Sequence, residues 1–146
     1  MDTLGIEGAQ QLLALAAEKA ARDYGRPICT AVCDTQGFLL AFARGNGAPV
    51  RSIEIAQGKA YSAARMGVDT DAFLQRLQRD QLHASYFCDD RLTALPGGAA
   101  LRNAAGDLLG GIGISGLTSA QDQAIASALA TAWAATTEQG ARQQAG

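Results

Sequence analysis

The chain has one histidine, His83, in 146 residues. Any Ser/His nucleophile must use that imidazole, and a site built on two histidines from one chain is excluded. Charge of either sign is not in excess: twelve Lys plus Arg against fourteen Asp plus Glu leave a net charge of -2, with no basic run of the kind nucleic acid requires. No apolar stretch reaches the roughly 20 residues that span a bilayer, since Gly, Thr or a charge interrupts each one. The opening residues Met1-Asp2-Thr3-Leu4-Gly5-Ile6-Glu7 carry acids where a secretory leader carries Lys or Arg, so the expected location is cytoplasmic.

Cysteine is scarce as well. Cys29, Cys33 and Cys88 form an odd set. The first two lie four residues apart in an extended segment, which separates their Cα atoms by about 13 Å; that is too far for a disulfide and unsuited to a shared metal. Cys88 has no Cys or His at zinc-ligand spacing. Free buried thiols and no metal are therefore expected.

With 48% of its residues hydrophobic, the chain can bury one core, and residues 1–146 read as a single domain without repeats. Apolar positions Ile6, Ala9, Leu13, Ala16, Ala20 and Tyr24 recur at three- and four-residue steps, predicting a helix that Gly25 and Pro27 end. Two β-rich runs follow, Ile28 to Asp34 and Phe38 to Arg44, joined by Thr35-Gln36-Gly37 in the manner of a hairpin. Asp34 is placed to accept backbone bonds across that turn. Ser52 can cap a second helix with Ile53, Ala56, Ala60 and Ala63 or Ala64 on its buried face. A third helix is expected from Thr70-Asp71 to near His83, with Phe73, Leu74 and Leu77 inside. The segment from Ala84 to Pro96 is weakly patterned. A second hairpin, Ala99 to Arg102 with Leu108 to Ser115, precedes a last helix from Ser119 to about Thr137 that buries Ile125, Leu129, Ala132, Trp133 and Thr136, with a frayed tail beyond Glu138. This order implies the α+β class, an antiparallel sheet flanked by helices.

Three blocks carry a family resemblance. The first runs from Val32 to Arg44 and holds Asp34-Thr35-Gln36-Gly37. The second is Gly47-Ala48-Pro49 followed by Ser52 to Ala64. The third is Leu95-Pro96-Gly97-Gly98 leading into Gly111-Ile112-Gly113-Ile114-Ser115-Gly116 and Asp122. In this order they resemble the GlcG/HbpS family, which includes the C-terminal domain of PduO-type proteins. The resemblance implies a profilin-like sheet between helices, assembly into a homo-oligomer, and binding of haem or another tetrapyrrole. In haem-binding members the ligating His is typically on the N-terminal helix, and the helix from Ile6 to Tyr24 has none. His83, Tyr61 or Cys88 would have to ligate iron instead, since tyrosinate and thiolate both serve that role.

Several residues are candidates for a site. Arg44, between a strand and a glycine-rich loop, either grips a carboxylate or propionate or pairs with a surface acid. Lys59 among small residues either contacts an anionic ligand, acts as a base with a lowered pKa, or snorkels. Gly97 and Gly98 either offer amides to an anion or form an ordinary turn. Gly111 and its glycine neighbours, running to Ser115, leave a bare strip for a flat ligand or for a packed helix. They do not form a dinucleotide fingerprint. Asp122 in the first turn of the last helix complements the helix dipole or serves as an acid or base. Three readings follow: a haem-type binding protein with Arg44 and Lys59 at the propionates, a metal-independent isomerase, hydratase or hydrolase of a small carboxylated metabolite with Arg44 anchoring the carboxylate and Lys59, Asp122 or His83 moving a proton, or a structural or assembly subunit with no chemistry.

Overall fold

Alternation along four short strands decides the architecture, because each sends its odd and even residues to opposite sides of one sheet. A computed structural model describes the backbone of residues 4–145 and the side chains of residues 4–140. Its elements are α1 (Ile6–Tyr24), β1 (Cys29–Cys33), β2 (Leu39–Arg44), α2 (Ser52–Met66), α3 (Thr70–Asp80), a 3-10 turn (Ala84–Phe87), β3 (Gly98–Arg102), β4 (Leu108–Ser115) and α4 (Ser119–Ala145). The strands form an antiparallel sheet in the order β2-β1-β4-β3. This is the expected α+β arrangement.

On one side of the sheet Ile28, Val32, Ala99, Leu101, Ile112 and Ile114 pack against α1 and α4, whose Leu12, Ala16, Ile125 and Leu129 complete the larger core. On the other side Cys29, Ala31 and Cys33 meet Ala56, Ala60 and Ala64 of α2. That second layer is thin because glycine lies beneath it. A Cβ at Gly111 or Gly113 would collide with the carbonyl oxygens of Ala60 and Ala56 respectively, so the α2 backbone rests almost directly on β4. The bare strip is thus filled by a helix.

The first hairpin closes as its sequence suggests. Asp34 Oδ1 accepts the N–H groups of Gln36 and Phe38, and Gly37 takes a φ of 92°, which glycine adopts without strain. Ser52 behaves differently. It is the first residue of α2 and makes no side-chain cap; its hydroxyl instead accepts a bond from Ser115 Oγ.

Other boundaries shift. Helix α3 ends at Asp80, three residues before His83, because Gln81 turns into the left-handed region at φ 54°. Helix α4 continues to Ala145 instead of fraying after Glu138, as the Ala, Gln and Arg of that stretch are good helix formers. Its buried stripe also rotates: Ile125, Ala126 and Leu129 are inside, Trp133 is half-buried, and Ala132 and Thr136 are exposed. In α1 Ala9, Ala16 and Ala20 are buried as expected, but the buried leucine is Leu12, with Leu13 only half-buried and Ile6 exposed. Of the thiols, Cys29 and Cys33 are buried, whereas Cys88 is exposed on the loop after the 3-10 turn.

The α2–β4 contact leaves no room for one more carbon. We expect Gly113→Ala to lower unfolding stability by about 2 kcal/mol or more. Gly140→Ala, in α4 with nothing near its added carbon, should instead raise it by roughly 0.5–1 kcal/mol. Urea denaturation of the two variants checks the opposite signs.

Candidate functional site

Helix α1 and the β1–β2 hairpin leave a groove of about 390 Å³ between them, within the range of small-ligand sites. Leu13, Ala17 and Ala21, spaced one turn apart on α1, form its wall. Ile28, Thr30 and Ala43 form its floor, because Thr30 and Ala43 face each other across the β1–β2 ladder. Arg26 and Arg44 stand with Pro27 and Gly45 at the end where α1 gives way to the sheet. Arg44 is steadied by two bonds to the Ala48 carbonyl, at 3.3 Å from Nε and 3.0 Å from Nη2. Arg26 is exposed and makes no hydrogen bond or ion pair among the described residues.

Lys59 does not line this groove. It is 1% exposed, on the face of α2 that turns toward the end of β4. Its Nζ donates to Ile114 O at 2.8 Å and to Asp122 Oδ2 at 3.1 Å. Asp122 is 3% exposed and its other oxygen accepts the Leu117 N–H. Burial pushes the Lys59 ammonium below its usual range and the Asp122 carboxyl above its own, and each charge opposes the other's shift. The pair therefore fastens α2, β4 and the start of α4 together. Gly97 roofs it: at φ 130°, a Cβ there would stand 2.6 Å from Lys59 Nζ.

The amides of Gly97 and Gly98 are already engaged. Gly97 N–H donates to Gln123 Oε1 at 2.7 Å and Gly98 N–H to Thr70 Oγ1 at 2.8 Å. Gln123 Nε2 returns a bond to Gly98 O, and Asp69 Oδ1 takes the Ala100 N–H. Together these side chains satisfy the outer edge of β3. Gly111 lies under α2 and Ser115 is buried against Ser52.

Tyr61 donates its hydroxyl to Asp89 Oδ2 at 2.6 Å. The Arg91 and Arg65 guanidinium carbons stand 4.1 and 5.0 Å from its ring centroid, a cation–π arrangement. The bond to Asp89 raises the Tyr61 pKa above its usual value, and the same bond lowers that of Asp89. His83 is exposed, its ring edge-on to Tyr86 at 5.2 Å. His83 and Tyr86 lie in the segment between α3 and β3, and neither lines the groove. Cys33 is an inert thiol: burial pushes its pKa to about 12, and Sγ donates to Ala60 O.

Of the sequence candidates, Arg44 alone lines the groove; Lys59 and Asp122 come together elsewhere, and Tyr61 and His83 stand apart. The sequence reading missed Arg26, Gln123 and Asp69. Arg26 lies between the helix-ending Gly25 and Pro27, which was a signal for a loop but not for what the loop approaches.

A family described as haem degrading protein HbpS-like matches residues 4–131. The chain belongs to the HbpS-like family. Among solved structures, this HbpS-like chain is similar to a double mutant of Streptomyces reticuli HbpS, at 29% identity over 90% of this chain and 88% of that one, with a TM-score of 0.79. It is also similar to Klebsiella pneumoniae protein ORFY, at 28% identity over 92% and 93% of the two chains and a TM-score of 0.80. A PduOC:heme complex gives 28% identity, coverage of 89% and 94%, and a TM-score of 0.78. No curated protein matches the chain. No helix among the described residues is long and apolar enough to cross a membrane.

Removing one partner of the buried pair should be far worse than removing both. Lys59→Met should cost about 3–5 kcal/mol, and Lys59→Met with Asp122→Leu should recover much of it; thermal unfolding of the single and double variants compares them. Tyr61 gives a pH signature. Its raised pKa means its contribution is complete below the unfolded value of 10.0 and fades as pH climbs through the folded value. The stability gap between wild type and Tyr61→Phe should thus be constant from pH 7 to 9 and shrink above 10.0, as read by denaturation at each pH.

Proposed function

We propose that this chain binds a haem-type tetrapyrrole in the groove between α1 and the β1–β2 hairpin, its apolar ring along Leu13, Ala17 and Ala21 and its propionates at Arg26 and Arg44. The observation that carries this reading is the pairing of an apolar wall with two guanidiniums at one end of it. A planar amphiphile with two carboxylates at one edge has that same division, and Arg is suited to bidentate carboxylate contact. The family description and the haem-bound PduOC relative support the same ligand class. Lys59 and Asp122, sealed from solvent, are left to the fold in this reading, which gives no support to proton transfer by that pair. Assembly into a homo-oligomer belongs to the same proposal and rests on the resemblance.

Titration with ferric haem, followed at the Soret band, tests it. We expect saturation at one haem per chain. Ala17→Glu, at an exposed helix position on the groove wall, should abolish binding, and Arg26→Ala should weaken it roughly tenfold. Absorbance that never saturates, or saturates identically in both variants, would overturn the proposal.

A further inference from the structure

The residues that line the groove fit the rim of a porphyrin but not its metal. Iron in haem proteins is held by His, Cys, Met or Tyr, and none of these is among the lining residues. Each described residue of those types near the groove is committed elsewhere. Tyr24, at the end of α1, packs its ring on the larger core. Cys29 and Cys33 point through the sheet to the α2 side. Tyr61 is bonded to Asp89 under its two arginines, and its raised pKa disfavours the tyrosinate that would ligate iron. His83 and Cys88 belong to the segment between α3 and β3, and neither is among the residues that line the groove.

We infer that the groove recognises the apolar ring and paired carboxylates of a porphyrin and is indifferent to the metal, so that metal-free protoporphyrin is a ligand equal to haem. This rests on the binding role proposed above and narrows its ligand class to porphyrin dicarboxylates. The physical reason is that the groove offers burial of ring carbons on Leu13, Ala17, Ala21, Ile28 and Ala43 and charge-assisted bonds at Arg26 and Arg44, and no metal ligand. Neither contribution changes when the central iron is replaced by two protons. Esterifying the carboxylates, in contrast, removes what the arginines read.

Equilibrium titration of the full chain with haemin, protoporphyrin IX and protoporphyrin IX dimethyl ester, each followed by quenching of Trp133 fluorescence, tests the inference. Dissociation constants for haemin and protoporphyrin IX within about threefold of one another, with the ester at least tenfold weaker, are the expected result. Both acids should also lose binding in Ala17→Glu. Haemin at least tenfold tighter than protoporphyrin IX, with the preference lost in His83→Ala, would overturn metal indifference while leaving the binding role standing; the imidazole would then come from outside the groove or from a second copy. If neither porphyrin binds, the binding role itself fails and the inference with it.

Discussion

Helix α2 rests its backbone on Gly111 and Gly113 of β4, and most of the molecule is arranged around that closeness. Alanines at one-turn spacing, Ala56, Ala60 and Ala64, keep the helix low on the sheet. The approach also fixes where Lys59 must go. One residue away from Ala60 on so tight a helix, its long side chain has no path over the sheet surface, and it runs to the end of β4, where Ile114 O and Asp122 receive it. An apolar residue of that length would leave Asp122 buried without a counter-charge, which is costly. The lysine, the aspartate and the roofing Gly97 are thus one unit produced by a packing constraint, and their ionic character is a property of the core.

How far the sequence disclosed this varies with the reach of each interaction. Strands, hairpins and helix starts follow local periodicity and turn chemistry, and the Asp34 turn formed from the five residues Asp34 to Phe38. The glycine-rich strand left two readings open, a ligand or a helix, since both need the same bare surface; only the position of α2 chooses. Helix α4 was misjudged in its outer turns because an alanine-rich helix has little contrast between its faces. For the site, Arg44 was visible through its place after a strand, while Arg26 acquires meaning only when α1 is laid beside β2. Lys59 looked like a ligand contact because a lone lysine among small residues reads the same way whether it faces a pocket or an aspartate 63 residues later.

The two faces of the sheet consequently have different duties. The α2 side is closed by small residues and a buried ion pair, and it has little space to offer. The α1 side is built from larger aliphatic residues except near Thr30 and Ala43, where the wall thins and the groove opens. Of the polar residues that attract attention in the sequence, only Arg44 belongs to the proposed groove, and Lys59, Asp122, Tyr61 and His83 do not.

The two edges of the sheet differ as well. Along β3, the outward N–H groups of Gly98 and Ala100 and the outward carbonyl of Gly98 meet Thr70, Asp69 and Gln123. Those side chains supply the donors and acceptors that a neighbouring strand would bring. Sheet width on that side is therefore set by three side chains, from the cap and first residue of α3 and from α4, a chemical full stop in place of a fifth strand. Across the sheet, β2 has no such termination among the described residues: its edge is left to main-chain groups, with the exposed side chains of Leu39 and, just before the strand, Phe38. Of the two sheet edges, β3 alone carries this side-chain termination among the described residues.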